Sequence, residues 1–197
     1  MVIIQIFGMG HVGSLLAYRC ACEFDSLVYI NDIDKEKLQS EEADLQQACL
    51  VEHLPSEVRL SNMVEEADIY VICANAPKKA SAPDDRMELL AANAPIVMDI
   101  AHEIAKVRKE MSMTLIITNP SHTLAAEALD IIPFAVPTGN LLDNARLRMC
   151  RATGQHERPS IQEKYDLVKS GKGYTQFGAI SEAVVYIRGY INGLESP

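Results

Sequence analysis

Val2-Ile3-Ile4-Gln5-Ile6-Phe7-Gly8-Met9-Gly10-His11-Val12-Gly13 is the stretch whose reading decides the fold. Residues 2–7 are a short apolar run that reads as a buried strand. The glycines that follow have distinct tasks. The first permits a tight turn, the second lets backbone approach a pyrophosphate, and the third lets a helix pack on the strand. A helix opening at His11 then aims its free N–H groups at the diphosphate. Such a triplet alone is a weak signal, but between a strand and a helix its context is right. Gly8, Gly10, His11, Val12 and Gly13 are therefore candidate cofactor residues, with His11 beside the phosphates or in solvent.

Asp32 ends the next apolar run, residues 27–31, at 24 positions after Gly8. A carboxylate there accepts hydrogen bonds from both ribose hydroxyls of the adenosine and repels a 2′-phosphate, which favours NAD over NADP. The competing reading is an Asp that caps the helix over residues 35–51.

Outward from this unit the alternation continues. Strands are expected over residues 68–74, 113–118 and 133–136, with one more at 58–60, and helices over 11–23, 84–109, 122–129 and 141–151. Strand-helix alternation implies parallel βαβ units, so the fold is α/β: a Rossmann doubly wound parallel sheet. Gly154 to Pro159 breaks the pattern with glycine, charge and proline. It divides a dinucleotide-binding domain, residues 1–153, from a small helical C-terminal appendage, residues 154–197. In the appendage Phe177, Ile180, Val184, Ile187 and Ile191 recur at helical spacing, a stripe expected to pack on the protein body.

Of the 197 residues 48% are apolar, enough for one sizeable core, and the net charge is −9. An acidic surface repels phosphate backbones and argues against nucleic acid. No apolar run reaches membrane-spanning length, and no charged n-region with an apolar stretch follows Met1, so membrane and export are not expected and the cytoplasm is the default. Five cysteines lack C-x-x-C spacing and read as buried reduced thiols rather than a metal cluster.

At this point the residues resemble a family, the malate/lactate dehydrogenases, over roughly the first 160 positions. Ile33-Asp34-Lys35 and Ala43-Asp44-Leu45 follow Asp32 as in those enzymes. Cys73-Ala74-Asn75-Ala76-Pro77 resembles their Thr-Ala-Gly-x-Pro, with Asn75 replacing Gly. Arg86-Met87-Glu88-Leu89-Leu90, then Asn93 and Ile96-Val97, resembles the mobile-loop Arg and its helix. Thr118-Asn119-Pro120 matches the Asn-Pro near the nicotinamide, and Leu142-Asp143-Asn144-Ala145-Arg146 matches Leu-Asp-Ser-Ala-Arg. Lys172-Gly173-Tyr174-Thr175 resembles the lactate dehydrogenase segment whose Thr lines the substrate pocket. The resemblance implies Ala74, Asn75 and Asn119 at the cofactor, and hydride transfer between NAD and a small 2-hydroxy or 2-oxo acid. Arg146 would grip the substrate carboxylate as a planar bidentate cation, and Arg86 would polarise the carbonyl. Asp143 would orient a catalytic His that takes the hydroxyl proton. A homodimer through the helix after the second strand is also implied, with Leu38, Leu45, Ala48 and Val51 as its apolar residues.

The resemblance departs at the catalytic His. The family's Gly-x-His-Gly-Asp lies well beyond the Asp-x-x-Arg helix, but here Gly154-Gln155-His156 comes ten positions after Arg146. Either a deletion has pulled the motif forward and His156 is the base, or His156 is an exposed loop residue. A helix from Asp143 to about residue 153 spans roughly 15 Å. Three extended residues recover at most about 10 Å, so direct contact requires a frayed helix or another subunit. His122, just after Asn119-Pro120, is a substitute proton carrier. Counted from Ala74-x-x-Pro77, Lys78 stands where malate enzymes carry the Arg for the second carboxylate; counted back from Arg86 that place falls on Ala80, because of the longer loop; Thr175 points toward lactate. Two functions stay open: an NAD-dependent 2-hydroxy acid dehydrogenase, malate-like by Lys78, and a catalytically silent NAD(H) binder with a regulatory or assembly role.

Overall fold

A computed structural model describes residues 1–77, 86–139, 167, 168, 170, 171 and 176–193. Among the described residues six strands form one parallel sheet: β1 (Val2–Phe7), β2 (Ser26–Asn31), β3 (Glu57–Leu60), β4 (Ile69–Ile72), β5 (Met113–Ile116) and β6 (Ala135–Pro137). The described helices are α1 (His11–Glu23), α2 (Lys35–Glu52), α3 (Arg86–Val107), α4 (Ser121–Ala128) and α5 (Phe177–Ile191). The sheet order is β3-β2-β1-β4-β5-β6. It reverses direction between β1 and β4, the switch point at which open α/β sheets bind ligands. This is the expected Rossmann sheet, with the stretch at 57–60 settled as a sixth strand.

The strands are nearly continuous apolar runs because helices cover both faces. On one face α1, α2 and α5 pack over Ile4, Ile6, Val28, Val71 and Leu115. On the other, Val97, Ala101 and Ile104 of α3 and Leu124 and Ala125 of α4 cover Phe7, Tyr70, Ile72 and Ile116. The C-terminal stripe behaves as expected in its middle: Ile180, Val184 and Ile187 are buried in the first core, whereas Phe177 and Ile191 at its ends are exposed. The expected helix at 141–151 and the 153/154 boundary lie outside the described residues.

Two expectations are displaced by local chemistry. The strand expected at 133–136 begins at Ala135, because Phe134 has a positive φ of 62° and forms part of a turn. Leu38 and Leu45 of α2, read as apolar residues of a dimer helix, are buried in this chain's own core, since the apolar stripe of α2 serves the core first; Leu50 and Val51 are its exposed large apolar residues.

Candidate functional site

Parallel pairing brings all strand C-termini to one edge of the sheet. The register sets Phe7 beside Asn31 and Ile72, Ile72 beside Ile116, and Ile116 beside Pro137. The residues that follow β1, β2, β4, β5 and β6 therefore stand along that edge, where open α/β sheets carry their ligand groove: Gly8, Asp32, Ala74-Asn75, Asn119 and Gly139.

The glycine turn has the shape that the motif requires. Gly8 has φ +94°, and a Cβ there would lie 2.6 Å from the Ala74 backbone nitrogen. The turn is thus pressed against the β4 exit across the switch point, and Gly8 N–H donates to the Asn31 carbonyl at 2.8 Å. A Cβ on Gly13 would come within 1.9 Å of the Gly8 carbonyl oxygen, so α1 packs on the strand end with no room for a side chain. A Cβ on Gly10, the N-cap of α1, would meet no atom within 4 Å. That open space lies at the first turn of α1, which carries no acidic residue. It is a cradle for an anion held by backbone and helix dipole. His11 begins α1 and is exposed, and Val12 is half-buried.

Asp32 closes the turn. Its Oδ2 accepts the Met9 N–H at 2.6 Å, and its Oδ1 accepts the Asp34 N–H at 3.0 Å. The capping alternative falls to its neighbour: the N-cap of α2 is Asp34, whose carboxylate accepts the Lys37 N–H at 3.1 Å. Asp32 is therefore left at the rim of the glycine turn, with further lone pairs for ribose hydroxyls.

The other half of the groove is laced together by side chains that the motifs alone did not single out for this task. Asn93 is 1% exposed and bonds three ways. Its Oδ1 accepts the Ala76 N–H at 2.8 Å, and its Nδ2 donates to the Asn119 carbonyl at 2.7 Å and to Asn75 Oδ1 at 3.3 Å. Asn75 donates to the Cys73 carbonyl at 2.8 Å. The buried Thr118 hydroxyl is 2.8 Å from the Ala74 carbonyl oxygen and 3.2 Å from that of Ile72. Asn119, joined to Pro120 by a cis peptide, is exposed at the rim. Arg86 is the exposed first residue of α3, two turns before Asn93, so the Asn93 anchor sets where the helix start stands. The signal that could have found Asn93 was a polar residue on the apolar stripe of a helix, which when buried needs partners.

Cys73 adjoins this groove, but burial pushes its thiol up to about 12, so it stays protonated and is no nucleophile. Cys20, Cys22, Cys49 and Cys73 are all free thiols. Among the described residues no group of three His, Cys, Asp or Glu side chains is placed to hold a metal, and no helix is long and apolar enough to cross a membrane. Lys78, Asp143, Arg146, His156 and Thr175 lie outside the described residues.

A glycine turn against a switch point, with a carboxylate at its rim, is the geometry of dinucleotide binding, and residues 2–135 match the family model described as lactate/malate dehydrogenase, NAD binding domain. The chain belongs to the lactate/malate dehydrogenase family. Its cofactor is NAD, and the open space at Gly10 with Asp32 beside it fits that group. Among relatives, the malate dehydrogenase of Nitratiruptor sp. is 32% identical over 146 residues, 70% of this chain and 45% of the relative. The probable L-lactate dehydrogenase of Schizosaccharomyces pombe is 29% identical over 150 residues, 74% of this chain and 45% of the relative. This member of the family thus spans about half the length of the curated relatives it matches. Among solved structures, the NADH complex of Archaeoglobus fulgidus malate dehydrogenase superposes with a TM-score of 0.79 at 20% identity, covering 96% of this chain and 78% of the other. Cryptosporidium parvum malate dehydrogenase superposes with a TM-score of 0.65 at 27% identity, covering 81% and 52%.

Proposed function

We propose that this chain holds NAD(H) along the strand C-termini and reduces a small 2-oxo acid, a dicarboxylate such as oxaloacetate in preference to pyruvate. The observation that carries the cofactor placement is the Gly8–Gly13 turn closed by the Asp32–Met9 bond of 2.6 Å. In this reading the diphosphate lies over Gly10 and the start of α1, with His11 and Val12 beside it. Asp32 takes the ribose, and Ala74, Asn75 and Asn119 border the path to the nicotinamide. When bound, NADH supplies the hydride from C4 of its nicotinamide. The chain's own residues do the rest. Arg146 binds the substrate carboxylate bidentately, Asn119 borders the substrate, and Arg86 stabilises charge developing on the carbonyl oxygen. His156 gives the proton in reduction and takes it in oxidation, with Asp143 reaching it across a frayed helix end or from a second subunit. Lys78 attracts a second carboxylate as a point charge, less selective than an Arg fork, while Thr175 favours the monocarboxylate.

The exposed Leu50 and Val51 at the end of α2, 74% and 77% exposed, support a symmetric homodimer through that helix. The free thiols support a reducing compartment such as the cytoplasm.

A second reading is a catalytically silent NAD(H) binder with a regulatory or assembly role. It is favoured by the spacing that sets His156 only ten positions after Arg146. His122, exposed in the first turn of α4 just beyond Asn119, is the alternative proton carrier if the chain is active. The deciding experiment is NADH oxidation with oxaloacetate and with pyruvate, on the intact chain and on Lys78→Gln. Faster oxaloacetate turnover, lost in Lys78→Gln, is expected. Pyruvate preferred in both proteins sinks the dicarboxylate reading. No turnover alongside confirmed NADH binding selects the silent binder.

A further inference from the structure

Among the described residues β6 is a three-residue edge strand, paired with β5 and with no strand on its outer side. The chain leaves it through Thr138 and Gly139, four residues before Asp143. The Thr138 N–H is bonded to the Ile116 carbonyl at 3.0 Å, but the fully buried Thr138 hydroxyl has no hydrogen-bond partner among the described residues. The turn is also held from a distant helix: Glu182 of α5 accepts the Gly139 N–H through Oε2 at 2.9 Å.

The seat is close. Gly139 has φ +86°, and a Cβ there would lie 3.2 Å from Ala179 Cβ and 3.3 Å from Ile117 Cγ2. α5 thus rests directly on the turn, and Ile117 stands two residues before Asn119. The far end of α5 is clasped separately. Arg188 bonds to Glu23 of α1, and the Tyr190 hydroxyl donates to the Met111 carbonyl at 3.2 Å. A helix tied down at its far end does not need a carboxylate at the β6 exit in order to stay docked. A side-chain oxygen that accepts the Gly139 N–H instead fixes the height of that turn.

We propose that Glu182 is a positioning residue for the nicotinamide half of the cofactor site. It holds the β6 exit level with the β5 exit, so that the groove beyond Asn119 has one shape when NAD(H) arrives. The adenosine half is built on β1 and β2, across the switch point, and does not depend on this bond. The inference rests on the cofactor placement proposed above and deepens it.

The test compares two ligands, NADH and ADP-ribose, the second lacking the nicotinamide, by calorimetric titration of the whole chain. Glu182→Ala is expected to raise the NADH Kd about tenfold and leave the ADP-ribose Kd within about twofold. Glu182→Gln keeps an acceptor oxygen without the charge and should recover most of the loss. Arg188→Gln, at the far end, should lower Tm without changing the ratio of the two affinities. Equal weakening of both ligands in Glu182→Ala, or no change in either, overturns the proposal. Should that variant not fold, Glu182→Gln decides alone, with a selective loss of about threefold for NADH expected and equal effects on both ligands overturning it. Wild-type chain that binds neither ligand overturns the cofactor placement itself, and the positioning role with it.

Discussion

On the β1–β2 side of the groove the site is made by three glycines and one carboxylate, with the Asp32 to Met9 bond spanning 23 positions of chain. On the β4–β6 side it is made by side chains that reach across the fold: Thr118 to Ala74 over 44 positions, Asn93 to Asn119 over 26, and Glu182 to Gly139 over 43. The first half is shaped by what backbone sterics forbid, the second by polar groups that must find partners once buried. A half built on sterics has almost no tolerance at its few positions. A half built on hydrogen bonds divides the work, so each loss is smaller and shows first in ligand binding. The β1–β2 half is complete within one βαβ unit. The β4–β6 half draws on α3 and α5.

The largest expected effect breaks the steric half. In Gly13→Ala the new methyl would sit 1.9 Å from a backbone oxygen, which has no flexible side chain to yield. A loss of about 3 kcal/mol is expected in urea unfolding. A midpoint unchanged from wild type would show that the helix can shift and that the contrast drawn here is too sharp.

The next test addresses the hydrogen-bonded half. Asn93→Ala leaves the Ala76 N–H and the Asn119 carbonyl without their partner, which costs about 2 kcal/mol. NADH affinity should fall with it, because the two loops that Asn93 joins would separate. Unaltered affinity in a destabilised protein would make Asn93 a matter of folding alone.

Asp32→Ala sharpens the comparison from the cofactor's side. Its carboxylate is half-exposed but accepts the N–H of buried Met9, so stability should fall by about 1 kcal/mol, less than in Asn93→Ala. NADH should bind about tenfold more weakly, about 1.4 kcal/mol, and the preference over NADPH should vanish. Wild-type chain binding both nucleotides equally would refute the ribose role.

The smallest effect concerns the far clasp of α5. Burial acts to raise the Glu23 carboxyl, but hydrogen bonds and charge from Arg19 and Arg188 outweigh it and hold the group below the usual carboxylate range. A carboxyl depressed in the folded state adds stability above its unfolded value, about 4.3. That contribution is lost as pH falls through the lower folded value. Glu23→Gln should therefore reduce the drop in Tm between pH 5 and pH 3. An identical drop in both proteins would show the clasp to be idle.

Much of this was legible in the residues themselves. The order of strands and helices up to Leu129 is recovered within a few residues, because buried parallel strands are short apolar runs and their helices carry an apolar stripe. Asp32 was legible as a candidate, but its competition with a capping role was not resolvable until Asp34 was found at the N-cap. The start of β6 was misplaced because Phe134, apolar and β-favouring, sits at positive φ in a turn. Leu38 and Leu45 were read as apolar residues of a dimer helix because a sequence does not say which side of a helix meets its own sheet.

The sequence by itself determined the Rossmann unit, the glycine turn and the choice of NAD, since each rests on near-neighbour sterics and on one carboxylate at a set distance along the chain. Only the tertiary structure decided that Asn93 joins the β4 and β5 exits and that Glu182 of α5 holds the β6 exit. Hydrogen bonds between groups tens of residues apart leave no period or spacing in a sequence. They exist only when packing has brought the partners together and burial has made it costly to leave them unpaired.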